Sequence, residues 1–232
     1  MGGKMRFDRE FALLCGRIVA RAIDPYVERL AFVGSFRRLL PDLGDIDILL
    51  IPRTGIREDR INAVFAGVCI DGKLDTKGVG MSKGPVDPDG SASGDRFAVP
   101  PVNLFFTRED SWGAAMMYTT GSRDYNIAYR GFARKHYGLT VNQRGVFRKG
   151  RLLPGSGRRE VDVCRAIHIP WLPPQDRSAR RLFPGSPVSV TKGPGRRKVH
   201  GDTSQEKRDA PVMGAGESRS RISQRNTGEE RS

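Results

Sequence analysis

The stretch that most constrains this chain is Gly34-Ser35-Phe36-Arg37-Arg38, followed after five residues by Gly44-Asp45-Ile46-Asp47-Ile48-Leu49-Leu50. On an extended strand successive side chains point to opposite faces, so Asp45 and Asp47 project together while Ile46 and Ile48 enter a core. Two carboxylates in one small space repel each other unless a cation sits between them. Hard divalent ions such as Mg²⁺ take carboxylate oxygens together with phosphate oxygens. Upstream, Gly34 allows close backbone approach, Ser35 adds a hydroxyl, and Arg38 can offer forked donors to a phosphate. A lone D-x-D is more often a solvated strand edge; the G-S-x-x-R run beside it is what points to a site for a metal and a triphosphate.

The rest of the chain supplies a frame for that pair. Phe7, Phe11, Leu14, Ile18 and Ala22 recur at helical steps, which predicts an amphipathic helix over 7–23, ended by Asp24-Pro25. Leu30 to Val33 reads as a buried strand leading into Gly34. Phe36 to Leu40 reads as a brief helix with its N-terminal amides toward the phosphates, and Ile46 to Ile51 as a second strand closed by Pro52. Residues 55–67 form a glycine-bounded helix of packing residues, and 72–94 a hairpin with a long mobile loop. Asp95–Val99 and Val102–Phe106 read as two further strands, the second lying beside the Asp45/Asp47 strand. A helix from Glu109 follows, closed by the turn Thr120-Gly121-Ser122. The glycine there permits a backbone excursion that sets Tyr118 and Thr119 on one side of a pocket, with Asn126 and Arg130 on the next helix.

The formal charge of +14 predicts a polyanionic partner. From Ser178 onward twelve Lys/Arg stand against six Asp/Glu, a net of +6. Pro, Gly, Ser and Arg dominate there with almost no large apolar residues, so 178–232 is expected to be a basic disordered tail, either a loose phosphate contact or a solubilising extension. Cys15, Cys69 and Cys164 are odd in number and widely spaced, which predicts free thiols rather than structural zinc. Lys4, Arg6, Asp8, Arg9 and Glu10 leave no apolar signal core, and no run approaches transmembrane length, so the expectation is a cytoplasmic, DNA-associated protein with no membrane partner.

The pattern G-S-x-R-R-x(5)-G-D-I-D resembles the palm motif of the DNA polymerase beta-like (family X) nucleotidyltransferases. Tyr118-Thr119-Thr120-Gly121-Ser122, Asn126 and Arg130 resemble the family's Y-F-T-G-S segment with its following Asn and Arg. Ala133, Gly138 to Phe147 and Ile169 to Arg177 resemble its thumb strands and closing I-P-x-x-x-P-P-x-x-R segment, so the likeness covers about residues 10–177. It omits the family's N-terminal helix-hairpin-helix and lyase module.

The resemblance implies an α/β (α+β) fold: a nucleotidyltransferase palm with a mixed sheet over 1–107 and a small thumb-like subdomain over 108–177. It also implies a monomer that adds a nucleoside monophosphate from a (d)NTP to a DNA 3′-end in repair or gap filling. Two Mg²⁺ ions, or Mn²⁺ in their place, would be held by Asp45, Asp47 and Asn103. Gly34, Ser35, Arg38 and Gly44 would take the phosphates; Tyr118, Thr119, Gly121, Ser122 and Asn126 would line the sugar and base, and Arg130 would touch the template.

Three departures matter. Asn103 stands where the family has a third metal-binding Asp, and an amide carries one charge fewer and cannot accept a proton as a carboxylate can. Thr119 replaces the usual Phe, and Arg123 stands where some members touch the base. Two alternatives therefore stay open: a nucleotidyltransferase acting on RNA or a small molecule, and a DNA- or nucleotide-binding homologue that lost catalysis with the third carboxylate.

Overall fold

The computed structural model describes residues 5–69, 75–76, 81–85 and 99–184. All of them belong to one compact unit. The fold mixes helices with mixed sheets, as the sequence implies.

Strand β1 (Phe7–Asp8) runs into helix α1 (Arg9–Ile23), whose start is fixed by the Asp8 carboxylate accepting from the amides of Glu10 at 2.7 Å and Phe11 at 3.2 Å. The buried face of α1 is Ala12, Cys15, Val19 and Ile23, one step round from the expected stripe, and Leu14 is 52% exposed. Small residues explain the shift. A Cβ on Gly16 would sit 2.6 Å from the Phe32 ring, so the helix lies on the sheet by its slimmest face, with Phe11 and Ile18 wedged at the sides.

The main sheet has the order β2-β4-β7-β6-β5, built from β2 (Val27–Phe32), β4 (Ile46–Pro52), β5 (Asp75–Thr76), β6 (Met81–Pro85) and β7 (Pro101–Phe106). β4 and β7 are parallel, which sets Asp47 opposite Asn103, and the other pairs are antiparallel. Between β2 and β4 lie the short helix α2 (Gly34–Arg37) and strand β3 (Asp42–Leu43), which pairs with β1. The expected helix at 36–40 thus begins two residues earlier and ends at Arg37, and Leu39 takes a left-handed φ of 60°. Helix α3 (Glu58–Ala66) falls where glycine spacing put it. The 72–94 segment contributes the β5–β6 hairpin; its long loop and the strand expected at Asp95–Val99 lie almost wholly outside the described residues.

Ile46, Ile48 and Leu50 are fully buried against α1 and α3, whereas Leu49 and Ile51 face helix α4 (Trp112–Thr120) from the other side. α4 has two apolar sides. Trp112, Ala115 and Met116 meet the sheet, while Ala114 and Met117 enter a second core. That core joins α5 (Arg123–Tyr137), the antiparallel sheet β8 (Leu139–Asn142), β9 (Gly145–Arg148) and β10 (Arg151–Leu152), α6 (Glu160–Ala166) and α7 (Ala179–Leu182). Burying such a side chain contributes roughly 1.5–3 kcal/mol, so α4 anchors both halves.

α7 corrects the boundary drawn from composition. Ala179 and Leu182 are buried, and Phe183 lies 4.9 Å from Phe132 on α5, so ordered chain runs past Arg177. The three cysteines are free and buried. Burial pushes the thiols of Cys69 and Cys164 up to about 12, which disfavours their thiolate forms. No described helix is long and apolar enough to cross a membrane.

Candidate active site

The alternation that buries Ile46 and Ile48 turns Asp45 and Asp47 onto the face of the sheet that α4 covers. At the start of β4 they emerge past the end of that helix, into a cleft of about 570 Å³. One wall of the cleft is Gly34, Ser35, Arg38, Gly44, Asp45 and Asp47; the other is Tyr118, Thr119, Gly121, Asn126 and Arg130. A volume of this size suits a nucleotide-sized ligand.

Gly34 is required by geometry. Its φ is +60°, and a Cβ there would stand 2.0 Å from Asp47 Oδ2, so only glycine lets the turn close on the carboxylate. The Val33 amide donates to the Asp47 carbonyl at 2.8 Å, which fixes the turn and the strand as one piece. Asn103 Nδ2 donates to Asp47 Oδ1 at 2.7 Å, and Asn103 is 5% exposed. Its Oδ1 is buried with no partner among the described residues. The amide therefore meets Asp47 through its nitrogen, whereas a metal ligand at this position would use the oxygen.

Arg38 crosses the cleft floor and donates from Nη1 to the Thr120 carbonyl, beneath Gly121. Burial pulls its guanidinium below the ordinary value, against the opposing fields of Asp47, Asp124 and Asp45, and an arginine remains charged under such a shift. Gly121 has φ +72°, and the Gly121-Ser122 peptide bond is cis. Asn126 Nδ2 donates to the Tyr118 carbonyl at 2.7 Å, while the Arg130 guanidinium lies 5.6 Å from the Tyr118 ring centre. Thr119 Oγ1 donates back to the Ala115 carbonyl at 2.7 Å.

Ser122 and Asn103 do not line the cleft. The Ser122 hydroxyl sits between the Asp124 carboxylate and the Arg177 carbonyl, 2.7 Å from the latter, and so fixes the turn from behind. Three cleft residues carried no site role in the sequence, Arg6, Leu40 and Ile127, while Arg123, noted there for the base, and Thr120 of the turn also line the cleft. Arg6 arrives because β1 pairs with β3, and its Nε donates to Asp42 Oδ1 at 2.7 Å.

Behind the cleft lies an ion cluster that sequence reasoning missed. Arg37 donates to both oxygens of Glu160, at 2.7 and 3.0 Å, and to Thr120 Oγ1 at 2.9 Å. Arg177, with a fully buried side chain, donates to Glu160 Oε1 at 2.8 Å, and Trp171 Nε1 to Oε2 at 3.2 Å. Burial alone would raise the Glu160 carboxyl, but the hydrogen bonds and charges of Arg37 and Arg177 override it and hold it down to about 2. The one clue was the doublet Arg37-Arg38, whose side chains diverge on a helical turn.

The chemistry of the donor set fits Mg²⁺. Two carboxylates line the cleft and, among the described residues, no group of three or more His, Cys, Asp or Glu is poised for a metal. Mg²⁺ is commonly held by one or two carboxylates, with water and phosphate oxygens completing its shell. The unpartnered Asn103 oxygen lies on the residue bonded to Asp47, within the same neighbourhood.

Residues 115–178 match the family model of the DNA polymerase beta thumb. The match takes in Tyr118, Gly121, Ser122, Asn126 and Arg130 and runs to the segment that carries Arg177. It supports a relationship of this chain to the polymerase beta-like proteins.

Proposed function

We propose that the chain is a polymerase beta-like nucleotidyltransferase that adds a nucleoside monophosphate from a (d)NTP to a DNA 3′-end. One observation carries this reading: a single nucleotide-sized cleft gathers Asp45, Asp47, Ser35 and Arg38 on one wall and the matched thumb residues on the other. Asp45 and Asp47 would hold Mg²⁺, Ser35 and Arg38 would bind the β- and γ-phosphates, and Gly34 keeps the backbone close enough for both. Tyr118, Thr119 and Asn126 would seat the sugar and base, and Arg130 would contact the template strand. Bound Mg²⁺ would supply Lewis acidity toward the transferred phosphoryl group and lower the pKa of the attacking 3′-hydroxyl. The domain organisation that goes with it is a palm up to about residue 107 and a thumb from there to α7, acting as a monomer.

Asn103 favours a second reading. Its amide donates to Asp47 in place of a third carboxylate, as a nucleotide- or DNA-binding homologue without catalysis would tolerate. Incubation with labelled dNTPs or NTPs, Mg²⁺ and a gapped primer–template separates the two. Extension of the primer supports transfer; tight binding of gapped DNA with no extension under Mg²⁺ or Mn²⁺ supports the binding protein.

A further inference from the structure

A different cavity, of about 1270 Å³, shares no lining residue with the carboxylate cleft. It lies between the Arg29 end of β2, the start of α4, the loop after β10 and helix α6. Its floor is apolar and rigid: Trp112 is 6% exposed and Met116 8%. The loop above the floor is stapled to α4, since the amides of Gly113 and Ala114 donate to the carbonyls of Arg158 at 3.0 Å and Gly157 at 2.9 Å. Gly113 and Gly157 make that contact possible. A Cβ on the first would stand 2.1 Å from the Arg159 backbone, and one on the second 2.6 Å from the Asp110 carbonyl.

The rim is basic. Arg29, Arg37, Arg158, Arg159 and Arg165 line the cavity against Glu109, Glu160 and Asp162, five positive charges to three negative. The acids are already engaged: Glu160 by Arg37 and the buried Arg177, Asp162 by Arg159 at 2.9 Å with Arg165 at 3.5 Å, and Glu109 by Arg29 at 3.4 Å. The surplus is therefore presented outward on exposed Arg158 and on Arg165, whose side chain is 76% exposed and whose 3.5 Å contact with Asp162, already held by Arg159, is the weaker of the two. Beside them stands Trp171, 43% exposed, with its indole pinned through Nε1 to Glu160. The buried Arg177 guanidinium lies 5.9 Å from the Trp171 ring centre on its inner side, whereas the other indole, Trp112, is buried and more closely covered by Arg29 at 4.2 Å.

We infer that this cavity is a second nucleic-acid site, which takes a single-stranded DNA segment with one base stacked on Trp171 and its phosphates on Arg158 and Arg165. A fixed, exposed indole flanked by surplus guanidinium groups is what single-strand recognition uses, because every base has a π-face and every nucleotide a phosphate. An acidic peptide would use the arginines and the apolar floor but has no need of a fixed aromatic plane. The site does not depend on nucleotide transfer in the cleft.

The test measures binding of a fluorescein-labelled oligothymidylate of about twelve nucleotides to the full chain, between about 50 and 200 mM salt. Trp171→Ala is expected to weaken binding about tenfold. Trp171→Phe keeps a ring while losing the bond to Glu160, and is expected to stay within about threefold of the parent, which separates stacking from support of the ion cluster. Arg158→Glu with Arg165→Glu is expected to lower the affinity and to reduce the log–log salt slope by about 1.4, two single-strand phosphate contacts at about 0.7 each. Asp45→Ala is expected to leave oligothymidylate binding unchanged even as it removes transfer, so failure of one reading is told from failure of the other. The basic tail contributes alike to every variant. Indifference of the oligonucleotide to the Trp171→Ala and double arginine substitutions overturns the assignment, and a Glu/Leu peptide whose binding the arginine variant abolishes would then give the cavity to an acidic protein segment.

Discussion

Two groups of acidic side chains stand back to back in this molecule, Asp45 and Asp47 in the cleft and Glu160 behind it, and the chain treats them in opposite ways. Glu160 is closed in, 10% exposed, with Arg37, Arg177 and Trp171 all delivered by the fold. The aspartates are half-buried on the wall of an open cleft, and a glycine, Gly34, lets the turn close on Asp47. A carboxylate enclosed by fixed cations ties distant segments together; carboxylates opened to solvent beside a donor-rich turn can meet an ion and a phosphate. Arg37 and Arg38 mark the divide, one reaching back to α6 and the other forward into the cleft.

The largest effect belongs to the open side. If the proposed transfer holds, Asp45→Ala and Asp47→Ala are each expected to lower it by about 10²–10³ or more, since each would remove a metal-holding charge without removing core. Gapped-primer extension with Mg²⁺, alongside circular dichroism to verify the fold, reads this directly. Transfer retained by both variants would remove the cleft as the reacting site.

The closed side predicts a loss of stability instead. Glu160→Ala strands the guanidinium of Arg177 in the interior, and breaking a buried ion pair by removing one partner costs about 3–5 kcal/mol. Urea unfolding checks it, and a loss under about 1 kcal/mol would mean that the cluster adds little beyond packing.

Acid gives a smaller version of the same experiment. The Glu160 carboxyl is held at about 2, below its ordinary 4.5, so its contribution is fully present above about pH 4.5 and is lost as pH falls toward 2. A depression of that size corresponds to about 3 kcal/mol. The parent's stability should fall through that window more steeply than that of Glu160→Ala, and parallel pH profiles would contradict the assignment.

The open side was the legible one, for a physical reason. Strand alternation has a period of two, so Asp45, Ile46, Asp47 and Ile48 sort themselves onto two faces without knowledge of the fold, and Val102-Asn103-Leu104 does the same on β7. Parallel pairing then brings Asp47 and Asn103 together. Glu160 was illegible because its partners lie 123 and 17 residues away, and an acid at the first turn of a helix needs no partner to explain it. The α1 register erred for a related reason. Apolar size pointed to Phe11, Leu14 and Ile18, but packing against Phe32 favoured the side with Gly16, Ala12 and Cys15. Composition placed the tail from Ser178 on, yet a single amphipathic turn with Ala179 and Leu182 was enough to dock α7.

The smallest predicted effect falls on the residue where the two treatments of charge meet. Asn103 is buried like Glu160 but touches the open site, donating Nδ2 to Asp47 at 2.7 Å while its oxygen finds no partner among the described residues. Replacing it with Asp changes two things of opposite sign. Without metal the new carboxylate faces Asp47 with no hydrogen to donate, so the metal-free fold is expected to lose about 1–3 kcal/mol. With metal, on the proposed reading, the third charge would strengthen the hold of Asp45 and Asp47 on a bound divalent ion. One well-placed electrostatic group in such a site is worth on the order of 10²–10³ in rate, and repulsion from Asp47 consumes part of it, which leaves an expected gain of about tenfold in transfer. The two halves are measured separately. Thermal unfolding should show Asn103→Asp less stable than the parent without divalent ions and recovering on addition of Mg²⁺ or Mn²⁺, and primer extension should show the faster rate at saturating metal. A variant that recovers stability with metal yet extends no faster would keep the ion site and refute Asn103 as the limit on rate; one that does neither would show that no ion binds between Asp47 and residue 103.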